Sequence, residues 1–166
     1  MSWRNLIFVA AASLTLAACG FKPLYGELPT RAGTSGRLAV EVALIPNREG
    51  QVMRSVLRRR FSGAAAANYR LDVAIAQASA VTAIDAAGDA TRRRVTMTAS
   101  WRLSPLALGA PKPLDGRVRV GEAYNLLASD YANYTAESAA RERAAARLAD
   151  LVAQAATARA TDAGWR

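Results

Sequence analysis

Hydrophobic and polar positions alternate along most of this chain with two periods, and each period predicts a kind of element. Leu38, Val40, Val42 and Leu44 alternate with Ala39, Glu41 and Ala43, which predicts a strand over Leu38–Ile45 that Pro46 stops. Asn47 suits the N-cap of a helix from about Arg48 to Phe61. Val52, Met53, Val56, Leu57 and Phe61 fall on one side of it, and Arg54 and Arg58 lie opposite. Period two returns over Tyr69–Ile84, with Leu71, Val73 and Ile75 on one face; it weakens at Gln77 and resumes at Val81. Asp85–Ala90 reads as a hairpin loop. Val95, Met97, Ala99, Trp101 and Leu103 then alternate against Thr96, Thr98, Ser100 and Arg102, the clearest strand in the chain.

After a proline-rich loop over Pro105–Pro113, Val118, Val120, Glu122 and Tyr124 share a strand face opposite Arg117 and Arg119. Thr135 is placed to cap a long last helix. There Ala144, Leu148, Leu151, Val152 and Ala155 make one stripe, and Arg143, Arg147, Asp150 and Gln154 make the other. Asp162–Arg166 reads as a frayed tail. The order is β-α-β-β-β-α in one domain over residues 37–161. One-faced helices and strands predict an α+β two-layer sandwich, with about four mostly antiparallel strands packed against two helices. Short connections make the three later strands a meander, while the pairing position of the first strand stays open.

The opening of the chain follows neither period. Arg4 precedes an apolar run from Leu6 to Ala17, too short for a permanent span of a bilayer about 30 Å thick but suited to a secretory signal. It closes on Leu16-Ala17-Ala18-Cys19, and Cys19 is the chain's single cysteine. Small residues there also suit an ordinary signal peptidase. A cysteine at the cut resembles a bacterial lipobox, which implies removal of residues 1–18 and acylation of Cys19. Gly20 at the next position is compatible, by the same resemblance, with sorting to the outer membrane. Several acyl chains hold a protein to a membrane where one binds reversibly. Residues 19–36, with Pro23, Gly26, Pro29, Gly33 and Gly36, read as a tether. No later segment is apolar for long enough to suggest a second span.

Charge and chemistry narrow the function. Lys and Arg number 22 against 13 Asp and Glu, there is no histidine, and Lys22 and Lys112 are the only lysines. A basic, arginine-rich surface attracts polyanions, and the planar guanidinium fork suits phosphate. For a protein sorted to the envelope the polyanion at hand is phosphorylated glycolipid, so nucleic acid is not expected as a partner. Lack of histidine rules out Ser-His-Asp and Cys-His sites and removes a usual zinc ligand. No glycine-rich phosphate loop appears and no cofactor is called for. Glu122 alone among the acids sits on an apolar strand face; an ion pair with a nearby arginine is the ordinary reading, and an enzyme is not expected. The site candidates are Arg92, Arg93 and Arg94 beside the hairpin loop and Arg58, Arg59 and Arg60 in the last turn of the first helix.

Three features together resemble the LptE family of lipopolysaccharide-assembly lipoproteins. They are Leu-Ala-Ala-Cys-Gly-Phe-Lys-Pro-Leu-Tyr at Leu16–Tyr25, the element order, and the run from Glu122-Ala-Tyr124-Asn125 through Tyr131-Ala-Asn-Tyr134 into an Ala/Arg-rich helix. The resemblance implies a non-enzymatic outer-membrane lipoprotein that plugs an LptD-type β-barrel, with the domain on the periplasmic side and within the lumen. It also implies binding of lipopolysaccharide through basic residues at the tip of the sheet, where Arg92, Arg93 and Arg94 stand. The alternative is another envelope lipoprotein, a transporter-auxiliary or structural adaptor subunit, which shares the anchor and the α+β domain but has no barrel partner.

Overall fold

The computed structural model describes residues 38–61, 66–107 and 111–165. The signal segment, Cys19 and the tether lie outside the described residues. The order is β1 (Val40–Val42), α1 (Asn47–Phe61), β2 (Tyr69–Ile84), β3 (Ala90–Pro105), β4 (Leu114–Asn125) and α2 (Asp130–Asp162). The strands form one mixed sheet in the order β1-β2-β3-β4. β1 pairs parallel with β2 at Val40↔Tyr69, and the other two pairings are antiparallel. The expected β-α-β-β-β-α sandwich is therefore the fold, and the first strand takes an edge place beside the start of β2.

Both helices cover one face of the sheet. Met53 and Leu57 of α1 and Leu148 and Val152 of α2 share a core with Leu71, Val95, Met97, Trp101, Leu103 and Val120. Strand alternation explains this division: every second residue of β3 from Val95 to Leu103 is buried and the residues between them are not. The helices lie side by side, linked by Arg48–Glu142 at 2.7 Å and Arg60–Asp150 at 2.8 Å. Its hydrogen bond to Glu142 raises the pKa of Arg48 above the ordinary arginine value. Such surface pairs fix register more than stability.

The helix α2 departs from expectation at both ends. It starts at Asp130 because Ser129 is the N-cap, its hydroxyl accepting from the Ala132 N–H, while the Asn133 side chain brackets Leu127 with two further bonds. Thr135 instead lies inside the helix and donates to carbonyls one turn back. At the other end the residues expected to fray are packed. Trp165 stacks on Tyr69 with ring centroids 5.0 Å apart, and its N–H donates to the Ala160 carbonyl. The buried face of α2 is mainly alanine, from Ala140 to Ala160, and Leu151, placed in the apolar stripe by sequence, is 39% exposed. Leu148, Ala149, Val152 and Ala153 take the buried positions around it, so Leu151 is left at the edge of the buried stripe.

Two close approaches shape the lower sheet. The Trp101 indole lies across Gly116, where an added Cβ would come within 2.6 Å of the ring. Arg159 stands over that indole at 5.9 Å and donates to the Asp115 carbonyl. The buried Trp101 Nε1 has no hydrogen-bond partner among the described residues, so the ring is held by packing and by the cation above it.

Candidate functional site

Among the described residues the face of the sheet away from the helices is uncovered, and arginines of β3 and β4 stand on it. Residues pointing that way alternate along each strand with those in the core. On β3 they are Arg92, Arg94, Thr96, Thr98, Ser100 and Arg102; on β4 they are Arg117, Arg119 and Gly121. β2 contributes Ala74, Ala76, Ala78 and Ala80 to the same face. The antiparallel register sets Arg119 beside Thr98 and Arg117 beside Ser100, with Ala76 and Ala74 next in line across the sheet.

Alternation divides the first arginine triplet. Arg92 and Arg94 share the open face, whereas Arg93 lies on the helix-bearing face in register with Val81 and Tyr124. All three are exposed, because β2 has no buried residue after Val73 and β3 has none before Val95. The hairpin that carries them closes on Asp85, whose carboxylate accepts from the N–H groups of Ala87 and Asp89 while Gly88 takes a φ of 91°. Among the described residues none of Arg92, Arg93 and Arg94 makes an ion pair. Such uncompensated guanidiniums raise the local potential for anions.

The second triplet stands elsewhere. Arg58, Arg59 and Arg60 end α1 near Leu38, at the end of the sheet where β2 begins, and Arg60 is engaged by Asp150. The two triplets are not brought together. Glu122 is an ion-pair partner: its side chain is 15% exposed and accepts from Arg147 at 2.6 Å, with Arg143 at 3.8 Å. Among the described residues no group of acidic residues is arranged to hold a metal ion.

Sequence reasoning placed Arg117 and Arg119 on one strand face but did not join them to the hairpin. The signal for joining them is the β3–β4 register, which local patterns do not contain. It likewise missed that Gly121 makes room for the Arg94 stem, whose Cδ lies 3.3 Å from where a Cβ would stand.

Comparison with known proteins gives the family. The family model for LptE, lipopolysaccharide-assembly, matches residues 38–156, which is nearly all of the folded domain. A Caulobacter crescentus protein assigned as a lipoprotein is similar in structure, with a TM-score of 0.57 and 23% identity over 75% of this chain and 92% of that one. Rare lipoprotein B from Shewanella oneidensis is similar with a TM-score of 0.60 and 10% identity, covering 75% of this chain and 98% of that one. At these identities the two structures speak to the fold. No curated protein matches in sequence. With its family match spanning all four strands, α1 and most of α2, the chain belongs to LptE, a family of non-enzymatic lipopolysaccharide-assembly lipoproteins.

Proposed function

We propose that this chain is an outer-membrane lipoprotein, anchored by acyl chains on Cys19. Its domain enters the lumen of an LptD-type β-barrel from the periplasmic side and assists insertion of lipopolysaccharide into the outer leaflet. Residues 19–36 are the tether that sets the reach of the domain. The observation that carries the glycolipid part is the hairpin bearing Arg92, Arg93 and Arg94, exposed and without carboxylate partners among the described residues. Phosphates on lipid A and core sugars match the guanidinium fork, and each such pair is a charge-assisted hydrogen bond. Leu127, Tyr131 and Tyr134, exposed at the start of α2, support a protein partner around that end, since aromatic side chains anchor interfaces.

Replacing Arg92, Arg93 and Arg94 together with Gln tests the site. Glycolipid binding is expected to weaken and to lose part of its salt dependence, while the melting temperature stays nearly constant because none of the three packs in the core. Unchanged affinity removes the hairpin assignment. For the barrel, tagged full-length protein purified from detergent-solubilised outer membranes is expected to bring down one large β-barrel in equal amount. Recovery of inner-membrane transporter subunits alone replaces the plug with the adaptor reading.

A further inference from the structure

The middle of the open sheet face holds a second arrangement of arginines, which shares Arg94 with the hairpin and is built differently. Arg117 and Arg119 stand two residues apart on β4, a separation of roughly 7 Å along the strand. Both are exposed, and each is tied to the neighbouring strand. Arg119 Nε donates to the Thr98 hydroxyl at 3.4 Å, and Arg117 Nε donates to the Ser100 hydroxyl at 3.3 Å. Both side chains therefore lean across β3, and both line a shallow trough whose far side is Ala74 and Ala76 of β2. A guanidinium has five N–H donors, so each keeps four after this bond. Arg94 stands on the same face, and Gly121 leaves room for its stem, whose Cδ lies 3.3 Å from where a Cβ would stand.

Three features distinguish this row from an ordinary charged surface. The guanidiniums are oriented by hydroxyls of the neighbouring strand, which lowers the entropy lost when a ligand is gripped. No ion pair involves Arg94, Arg117 or Arg119 among the described residues, although the same face carries Asp72 and Asp115 further down. Beside the row, Ala74, Ala76, Ala78 and Ala80 give an alanine floor along β2, about 20 Å from first to last. A floor without side-chain hydrogen-bonding groups suits hydrocarbon, while the row suits closely spaced anionic charge.

We infer that Arg94, Arg117 and Arg119 form a phosphoryl-binding site on the open sheet face, taking an amphiphile whose two phosphoryl groups meet the arginines while an acyl chain lies along the β2 alanines. This rests on the glycolipid reading above and adds to it a second station that shares Arg94 with the hairpin. A phosphate monoester carries up to two charges on one centre, so two of them match three guanidiniums on one sheet face better than separate protein carboxylates do.

The test uses the full-length protein in neutral detergent, titrated with bisphosphorylated lipid A, the same lipid fully dephosphorylated, inorganic pyrophosphate, and a polyglutamate peptide. R117K/R119K keeps every charge but loses the fork, and R92Q/R93Q alters only the hairpin. For the native chain, removing both phosphates is expected to weaken lipid binding about tenfold or more, and R117K/R119K to weaken lipid A binding by a similar factor with an unchanged melting temperature. Pyrophosphate binding, weaker for want of the acyl chain, is expected to show the same sensitivity to R117K/R119K. Lipid A binding unaffected by R117K/R119K overturns the inference, and a loss in R92Q/R93Q alone then leaves the hairpin reading standing. A loss in R117K/R119K alone supports the sheet-face site and removes the hairpin. Sensitivity confined to pyrophosphate overturns the amphiphile in favour of free phosphate, and peptide binding as tight as lipid A overturns the phosphoryl assignment in favour of a protein partner. Failure of the native chain to bind lipid A sinks both readings.

Discussion

Gly50 is the position where local propensity and tertiary structure disagree most sharply. It lies in the first turn of α1, where replacing glycine by alanine ordinarily gains up to about 1 kcal/mol of helix stability. An added Cβ would stand 2.6 Å from the Ile45 carbonyl oxygen and 2.8 Å from both its carbonyl carbon and Cγ2. Two of these are backbone atoms, and Ile45 is 1% exposed, so the neighbour has nowhere to move unless Met53 and Leu57 of α1 are lifted out of the core. Overpacking typically costs about 1–3 kcal/mol, and a clash with backbone atoms puts this site in the upper part of that range, about 2–3 kcal/mol. Subtracting the propensity gain leaves a net loss of about 1–2 kcal/mol. A domain of about 130 residues has an unfolding entropy of roughly 0.27 kcal/mol/K at its midpoint. Gly50→Ala is therefore expected to lower the melting temperature by about 4–7 °C in a thermal scan followed by far-UV circular dichroism. A melting temperature equal to or above that of the native chain would refute the close approach and restore the propensity argument.

Other expectations follow from the packing. Trp165→Ala removes the ring stacked on Tyr69 and is expected to cost about 1 kcal/mol, or about 4 °C, where a frayed tail would show no change. Glu122→Gln leaves Arg147 and Arg143 without a carboxylate. Both arginines are more than half exposed, so the loss is expected to be only about 1 kcal/mol by urea unfolding and smaller in high salt. Glu122→Leu tests the same point from the other side: on a face shared with Val120 and Tyr124 it is expected to be nearly neutral.

Element order, sheet faces and most core residues were legible because alternation tracks burial wherever helices cover the strand. Reading failed where that cover ends. β2 continues unbroken through Gln77 to Ile84, yet its alternation fades there because no buried face exists beyond Val73 to demand apolar residues. Its strand state is dictated by pairing with β3, from Ala76↔Thr98 to Ile84↔Ala90. In α2 the contact face is alanine, and alanine also occupies other faces, so Leu151 drew the stripe away from its true centre. The hairpin arginines were visible as a triplet, but their division between two faces and the alignment of Arg94 with Arg117 and Arg119 depend on strand pairing across many residues.

The short reach of β1 has its own consequence. It pairs only with Tyr69, Arg70 and Leu71, so the outer edge of β2 beyond that point has no strand beside it among the described residues. The stretch Val73–Ile84 contains no charge, no proline and no glycine, and alternates small residues with Val73, Ile75, Val81 and Ile84. An uncovered, uncharged edge of this composition is a template for another strand, the arrangement from which cross-β stacks grow. The register places Arg94, Arg93 and Arg92 against Ala80, Val81 and Ala83 on the neighbouring strand. If two such edges met, three like charges per copy would face each other across roughly 14 Å, three strand spacings, so the arginines oppose self-assembly of the hairpin chiefly at low salt, besides being candidates for holding phosphate.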